Sequence, residues 1–191
     1  MELVLASTSP YRRELLARLG VPFKVAPPHV PEERLPGESA EVMAARLARA
    51  KALAVAAGFR TALVIGSDQV ADCDGRILGK PGDHARASAQ LRSLSGREVV
   101  FHTAVCVHNA ATGTTLERVV ASRVRFRTLG DAAIERYLER ERPYDCTGSA
   151  KAEGLGIALL ERVESDDPTA LIGLPLIALV GLLHAQGFDV V

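Results

Sequence analysis

The sequence predicts a mixed α/β domain of two lobes, and three observations carry that prediction. A chain of 191 residues suffices for one fair-sized domain or two small lobes and is long enough to bury a core. Short apolar runs at 3–6 and 62–65 stand next to helix-forming stretches, as strands do in α/β folds. Between Val99 and Phe126, two alternating runs meet across a polar turn, the pattern of a long antiparallel hairpin. No internal repeat, low-complexity tract or linker interrupts the chain.

The elements follow in order. Leu3 to Ala6 is a short apolar run, followed by Ser7-Thr8-Ser9-Pro10 and by an apolar spacing at Leu15, Leu16 and Leu19 that stops at Gly20. This predicts strand, turn and capped helix, with Pro10 suited to the first turn because no N–H is needed there. After a proline-rich loop from Pro27 to Pro36, Ser39 caps a helix rich in Ala, Leu and Arg that ends near Gly58. Ala62 to Ile65 is a continuous apolar strand, too short for a helix, closed by Gly66. Asp74-Gly75 marks a hairpin, and residues 83–94 form a helix ending at Gly96.

Val99, Phe101, Thr103, Val105 and Val107 then alternate, with the turn at Asn109 to Gly113 leading to Val120, Ser122, Val124 and Phe126. Arg123, Arg125 and Arg127 interleave with these, giving the hairpin a polar outer face, and His102 and His108 sit on a half-exposed one. Thr128 with Asp131 opens a helix by a capping pattern, running to about Arg142 before Pro143. A glycine-punctuated loop, a strand at Ile157 to Leu160, a turn at Asp166-Asp167-Pro168 and a helix from about Pro175 to Gln186 complete the chain.

Composition narrows the function classes. Apolar residues make up 48% and charged ones 24%, which excludes a disordered or fibrous chain. The 23 basic and 23 acidic side chains cancel, removing the positive surface that binding to a nucleic-acid backbone or an anionic membrane needs. Three cysteines without CxxC spacing fit neither a disulfide framework nor a structural zinc site. The N-terminus carries its charges after its apolar run, the reverse of a secretory signal, and no apolar stretch has membrane-spanning length. A soluble, cytoplasmic protein is expected. Arginine outnumbers lysine nineteen to four, so Lys24, Lys51, Lys80 and Lys151 are positions where a compact ammonium is used in place of a planar guanidinium.

Four constellations can carry chemistry. In Ser7-Thr8-Ser9-Pro10-Tyr11-Arg12-Arg13, two cations in the first helical turn oppose the helix dipole, a conflict that a bound phosphate removes. A plain Ser9 cap with two solvated arginines fits the same residues. In Gly66-Ser67-Asp68-Gln69, an acid follows a buried strand, where it can hold a divalent cation or take a proton from water, or simply bond nearby turn amides. Gly79-Lys80-Pro81 holds a lysine on a short stiff segment, for an anion or for solvent. In Gly148-Ser149-Ala150-Lys151-Ala152-Glu153-Gly154-Leu155-Gly156, an extended chain puts Lys151 and Glu153 on one side with glycines that admit a ligand. Glu32-Glu33 and Lys51 add a metal ligand and a phosphate contact, or are solvated surface groups. The five histidines have no metal-ligand spacing. Together these residues suggest a polyphosphate held by cations and a metal held by acids.

With these residues assembled, the chain resembles the Maf family of nucleoside triphosphate pyrophosphatases over essentially all of its length. The likeness rests on STSPYRR near the start, the loop carrying Glu32, Lys51, GSDQV at 66–70, GKP at 79–81, GSAKAEGLG at 148–156 and GLPL at 173–176. It is most similar to the subgroup acting on 7-methyl-GTP. Tyr11, Gln69 and Glu153 sit where the dTTP and UTP subgroup tends to have Arg, Thr and Gln, and Tyr11 stands where some relatives have another aromatic residue, Trp.

The resemblance implies hydrolysis between the α and β phosphates with Mg²⁺ or Mn²⁺. It implies that Asp68 activates water, that Ser7, Arg12, Arg13, Lys51, Lys80 and Lys151 bind the triphosphate, and that Glu32 with Asp68 holds the metal. Tyr11, Gln69 and Glu153 would select the base. The implied fold is a two-lobed mixed α+β structure, a single domain over 1–191 with an elongated, largely antiparallel sheet and a cleft between the lobes. The implied assembly is a homodimer acting on a small-molecule nucleotide, with neither nucleic acid nor membrane as partner. The competing expectations are other non-standard purine or pyrimidine nucleotides as substrate, or a non-catalytic nucleotide-binding regulator of division.

Overall fold

The computed structural model describes every residue from Met1 to Val191. Its strands are β1 (Glu2–Ala6), β2 (Phe23–Ala26), β3 (Ala62–Cys73), β4 (Arg76–Leu78), β5 (Glu98–Asn109), β6 (Thr115–Phe126) and β7 (Leu160–Ser165). Its α-helices are α1 (Pro10–Ala17), α2 (Ala40–Ala56), α3 (His84–Leu94), α4 (Asp131–Glu141) and α5 (Leu176–Ala185). The fold is mixed α/β, with sheet order β2-β1-β3-β5-β6-β7 and β4 attached to β3. β1 runs parallel to β2 and to β3, whereas the β3–β4 and β6–β7 pairs are antiparallel. β5 and β6 are sheet neighbours joined only by residues 110–114, too short for a parallel crossover, so they form the expected antiparallel hairpin. The chain divides into two compact units: 1–69, 102–120 and 166–191 form the first, 70–101 and 121–165 the second.

In the first unit, Leu3 and Leu5 of β1, Leu63 and Ile65 of β3, Leu15 and Leu16 of α1, Val105 and Val107 of β5 and Leu179 and Leu183 of α5 make one buried cluster. β1 is apolar on both faces because α1 and α5 cover one face and α2 packs on the other. α1 begins as expected, with Pro10 in its first turn and the Ser9 hydroxyl accepting from Arg12 N; Ser39 likewise caps α2. Nothing in Phe23–Ala26 predicts a strand, since the tetrapeptide has no long apolar run. β2 exists through its parallel pairing with β1, from Leu3↔Phe23 to Ala6↔Ala26.

Two expectations are corrected in this unit and a third, the turn at Asp167, is extended. Gly66 does not close β3, which continues to Cys73. A Cβ at Gly66 would run into the carbonyl oxygen of Ala48 and come 2.7 Å from the amide nitrogen of Ala52, so this glycine lets strand and α2 touch. The middle of the hairpin has no polar outer face. Ala104 and Cys106 are as buried as Val105 and Val107, because α2 crosses that side, tied to β6 by Arg49 and Glu117 at 3.0 Å. Burial there pushes the Cys106 thiol up to about 12. The turn at Asp167 is also a helix cap: its buried carboxylate accepts from Thr169 N, from Thr169 Oγ1 at 2.7 Å, and from Ile177 N and Ala178 N at the start of α5.

Glu38 organises the loop that precedes α2. Its carboxylate takes two bonds from the Arg46 guanidinium, at 2.6 and 2.8 Å, and one from Leu35 N, while Arg46 also donates to Glu33 O. The Arg46 pairing pulls the Glu38 carboxyl down to about 2. A carboxyl depressed in the folded state lends stability that is complete above its ordinary value of 4.5 and is lost as pH falls toward 2. The thermal midpoint of the wild type is therefore expected to fall more steeply between these pH values than that of Glu38→Gln. Equal slopes in calorimetry across that range would remove Glu38 as the cause.

In the second unit, β3 turns into β4 through Asp74 and Gly75, both at positive φ, with Asp72 accepting from Gly75 N at 3.1 Å, as the hairpin signal requires. The helix at 83–94 is α3, capped by Asp83. α4 lacks the Thr128–Asp131 cap. Gly130 is its N-cap, the Ser95 hydroxyl holds Leu129 N at 2.8 Å, and Asp131 is drawn to Arg92 of α3 at 2.6 Å. The strand expected at 157–160 is displaced to Leu160–Ser165, and Leu155–Leu159 winds into a 3₁₀ turn. Glu141 holds Leu155 N at 2.7 Å, and the space for a Cβ at Gly156 is taken by the Lys151 backbone at 2.5 Å, so the segment is coiled where an extended chain was expected.

Candidate active site

β3 sets the geometry of the acid. Because the strand continues past Gly66, successive side chains alternate, and Gly66 and Asp68 face α2 while Ser67 and Gln69 face the other way. Asp68 Oδ1 lies 2.5 Å from Nζ of Lys51 on α2, and the same ammonium lies 2.5 Å from Glu32 Oε1. Lys51 and Asp68 are only 6% and 7% exposed, so Lys51 is not a solvated surface group and Asp68 is not a turn residue. Glu32 comes from the long loop and is itself largely exposed.

On the opposite face, the Ser67 hydroxyl is 2.8 Å from Ala104 O and 3.0 Å from Gly173 O. Gly173 O also accepts from Arg12 Nε at 2.9 Å, which aims the guanidinium. Burial lowers the Arg12 pKa, and the negative charges of Asp68 and Glu32 raise it in part, which marks both acids as its electrostatic neighbours. Gly173 has φ 127°, a conformation open to glycine, and supplies this carbonyl from the segment held by Asp167 and Thr169. Ser7, at the end of β1 and buried, accepts from Ser9 N at 3.1 Å and shapes the turn into α1. Tyr11 is half-buried, and Arg13 is exposed on α1.

The first unit thus gathers Arg12, Glu32, Lys51 and Asp68 into one group of two cations and two carboxylates, with Ser7 at the neighbouring strand end. Gln69 stands apart in role. Its Nε2 lies 3.0 Å from Thr103 Oγ1, Ala170 O and Leu171 O, so its donors serve the turn Ala170–Ile172. The second unit carries Lys80, exposed between Gly79 and Pro81, together with Lys151 and Glu153. Lys151 is partly buried, its Nζ 3.2 Å from Glu141 and its backbone N donating to Tyr137 Oη at 3.0 Å. The segment 150–154 is turned, with Gly154 N bonded to Lys151 O, so Lys151 and Glu153 do not share a side as they would on an extended chain.

Sequence reasoning missed Glu38 with Arg46, the Gly173 carbonyl and Glu141. Only Glu141 had a local signal: an acid in the last helical turn opposes the helix dipole and needs a reason to be there.

The donor set can be tested against a divalent cation. No group of three or more His, Cys, Asp or Glu is gathered for a metal, but Glu32 and Asp68 already converge on one positive nitrogen. Two hard carboxylates, completed by phosphate oxygens and water, is the set that Mg²⁺ accepts, and Mn²⁺ shares the preference. The residues fit such an ion.

Comparison with known proteins gives a concordant result. The family model described as Maf-like protein matches residues 2–186. The chain is 61% identical over 189 residues to a 7-methyl-GTP pyrophosphatase of Paraburkholderia xenovorans (strain LB400), covering 97% of this chain and 92% of that protein. It is 56% identical to the protein of the same name from Albidiferax ferrireducens, covering 99% and 95%, and 59% identical to that of Thiobacillus denitrificans, covering 98% and 94%. Among solved structures, a HAM1 protein from Coxiella burnetii aligns with 66% of this chain and 73% of its own at a TM-score of 0.45 and 19% identity, too distant to bear on fold or site. A family match from residue 2 to residue 186, with relatives more than half identical along nearly the whole of both chains, makes this protein a member of the Maf-like family.

Proposed function

We propose that this chain is a nucleoside triphosphate pyrophosphatase that hydrolyses 7-methyl-GTP between the α and β phosphates, releasing 7-methyl-GMP and diphosphate. The observation that carries the reading is the buried Lys51 ammonium held between Asp68 and Glu32 beside Arg12, in a chain whose relatives bear the name 7-methyl-GTP pyrophosphatase. Asp68 takes the proton of the attacking water, and Lys51 fixes the direction of its carboxylate. Ser7, Arg12, Arg13 and Lys51 bind phosphate oxygens, and preorganised cations of this kind favour the charge that develops on the leaving diphosphate; Lys80 and Lys151 of the second unit bind phosphate oxygens equally in the ground and transition states. Glu32 and Asp68 would hold Mg²⁺ or Mn²⁺, which when bound would further neutralise the triphosphate.

Methylation at N7 makes the guanine ring cationic. Tyr11 stacks on it, worth roughly 0.5 to 2 kcal/mol, and Glu153 accepts from its Watson–Crick edge where a neutral amide would bring no charge. Gln69 acts through the turn it holds at 170–172. The reading includes a single functional domain over 1–191, working as a homodimer in the cytoplasm. No helix is long and apolar enough to cross a membrane.

The test is diphosphate release from 7-methyl-GTP, GTP, dTTP, UTP and inosine and xanthosine triphosphates, with and without Mg²⁺ or Mn²⁺. Metal-dependent release, fastest with 7-methyl-GTP, is the expected result. A preference for pyrimidines overturns the substrate assignment, and tight binding without release points to a nucleotide sensor.

A further inference from the structure

We propose that Gln90 of α3 is a positioning residue, clamping the loop that carries Lys80 and the turn that leads to Lys151 onto one rigid helix. Its side-chain carbonyl Oε1 accepts from Ser149 Oγ at 2.5 Å, and its Nε2 donates to Gly79 O at 3.2 Å. Gly79 precedes Lys80, and Ser149 lies two residues before Lys151. The helix that holds the amide is itself anchored, since Ala87, Leu91 and Leu94 are fully buried.

The chemistry of the two contacts selects glutamine. Gly79 O can only accept, so the amide must turn its NH₂ that way and its carbonyl toward the Ser149 hydroxyl, which donates. A carboxylate could serve Ser149 and would repel Gly79 O, and an ammonium could serve Gly79 and not accept from Ser149. One side chain with a donor and an acceptor at its tip meets both demands.

Ser149 needs such a partner. It is fully buried with φ 56°, directly after Gly148 at φ 74°, and a run of left-handed residues containing a side chain persists only where its surroundings hold it. Gly148 is packed in turn, because a Cβ there would meet the Phe101 ring at 3.4 Å. The same two segments are linked again by Gly82 N to Tyr144 O at 2.9 Å, and Tyr144 Oη pairs with His84 Nδ1 at 3.0 Å at the start of α3. α3 is therefore a common post for both segments, with Gln90 one turn before its end and His84 at its start.

The kinetic consequence rests on the reading of Lys80 and Lys151 as phosphate ligands given above; the clamp does not. The experiment combines amide hydrogen exchange on the full chain with steady-state kinetics on 7-methyl-GTP. In Gln90→Ala, exchange is expected to rise about tenfold both at 80–82, where Gly82 N is bonded to Tyr144 O, and at 147–151, where Ser149 N is bonded to Cys146 O. In Gln90→Glu, which keeps the acceptor for Ser149, it is expected to rise at 80–82 alone. KM should increase about fivefold in Gln90→Ala with kcat within about twofold of wild type, because the lysines bind substrate and do not act on the water.

Exchange that rises in neither segment or in only one for Gln90→Ala overturns the clamp, as does an identical pattern in the two variants. An unchanged KM in Gln90→Ala, alongside a raised KM in Lys80→Ala, overturns the positioning role and leaves the pyrophosphatase reading intact. If the wild type releases no diphosphate from any nucleotide, that reading fails, and the exchange pattern still decides the clamp.

Discussion

Asp68→Asn is expected to lower kcat for diphosphate release by about 10²- to 10⁴-fold while KM changes little, the span a positioned general base contributes. The substitution is nearly isosteric, and an amide oxygen at this position still accepts from Lys51 Nζ, so the side chain stays in place. What disappears is the ability to take a proton. Some stability goes with it, because Lys51 is almost completely buried and keeps only Glu32 as counter-ion. A thermal melt of the variant separates that loss from the chemical one: a folded protein with intact nucleotide binding and crippled turnover is the expected combination. Near wild-type kcat in a folded Asp68→Asn protein removes Asp68 from the role of base.

Gly66→Ala is expected to destabilise the protein by about 3 kcal/mol or more, at the upper end for overpacking. The obstacles are backbone atoms, the Ala48 carbonyl and the Ala52 amide at 2.7 Å, and these cannot rotate away as a side-chain tip can. The strand and α2 must separate, and α2 carries Lys51, so the pair with Asp68 opens as well. For a chain of this size, that stability loss corresponds to a thermal midpoint lower by roughly 6 to 12 °C. Gly181→Ala is the contrasting control. That glycine sits inside α5 with nothing within 4 Å of a built Cβ, so alanine there should stabilise by about 0.5 to 1 kcal/mol through helix propensity. If Gly66→Ala melts with the wild type, the contact between strand and helix is looser than described, and α2 does not owe the placement of Lys51 to this glycine.

Much of the chain was legible because its signals are local. Ser9 with Pro10 and Ser39 mark helix starts through bonds to amides three residues on, Asp74-Gly75 marks a tight turn through its positive φ, and the alternation in β5 and β6 marks a hairpin. The candidate residues were legible too, through charges that the local structure does not explain, such as Arg12 and Arg13 at a helix N-terminus. Gly66 misled for the same reason, since a glycine after an apolar run reads as a turn unless the helix pressing on it is known. Asp167 was under-read because the amides it caps begin ten residues later.

Sequence alone determined where most helices begin, that a long hairpin forms, and which acids and cations stand out, because each depends on neighbours within a few residues. Only the tertiary structure decided that Asp68 lies within a strand, that Lys51 is buried between two carboxylates, that Gly173 aims Arg12 and that Gln90 joins two loops. Those contacts link residues from 11 to 161 positions apart, and their energy comes from burial and close approach, which no local pattern encodes.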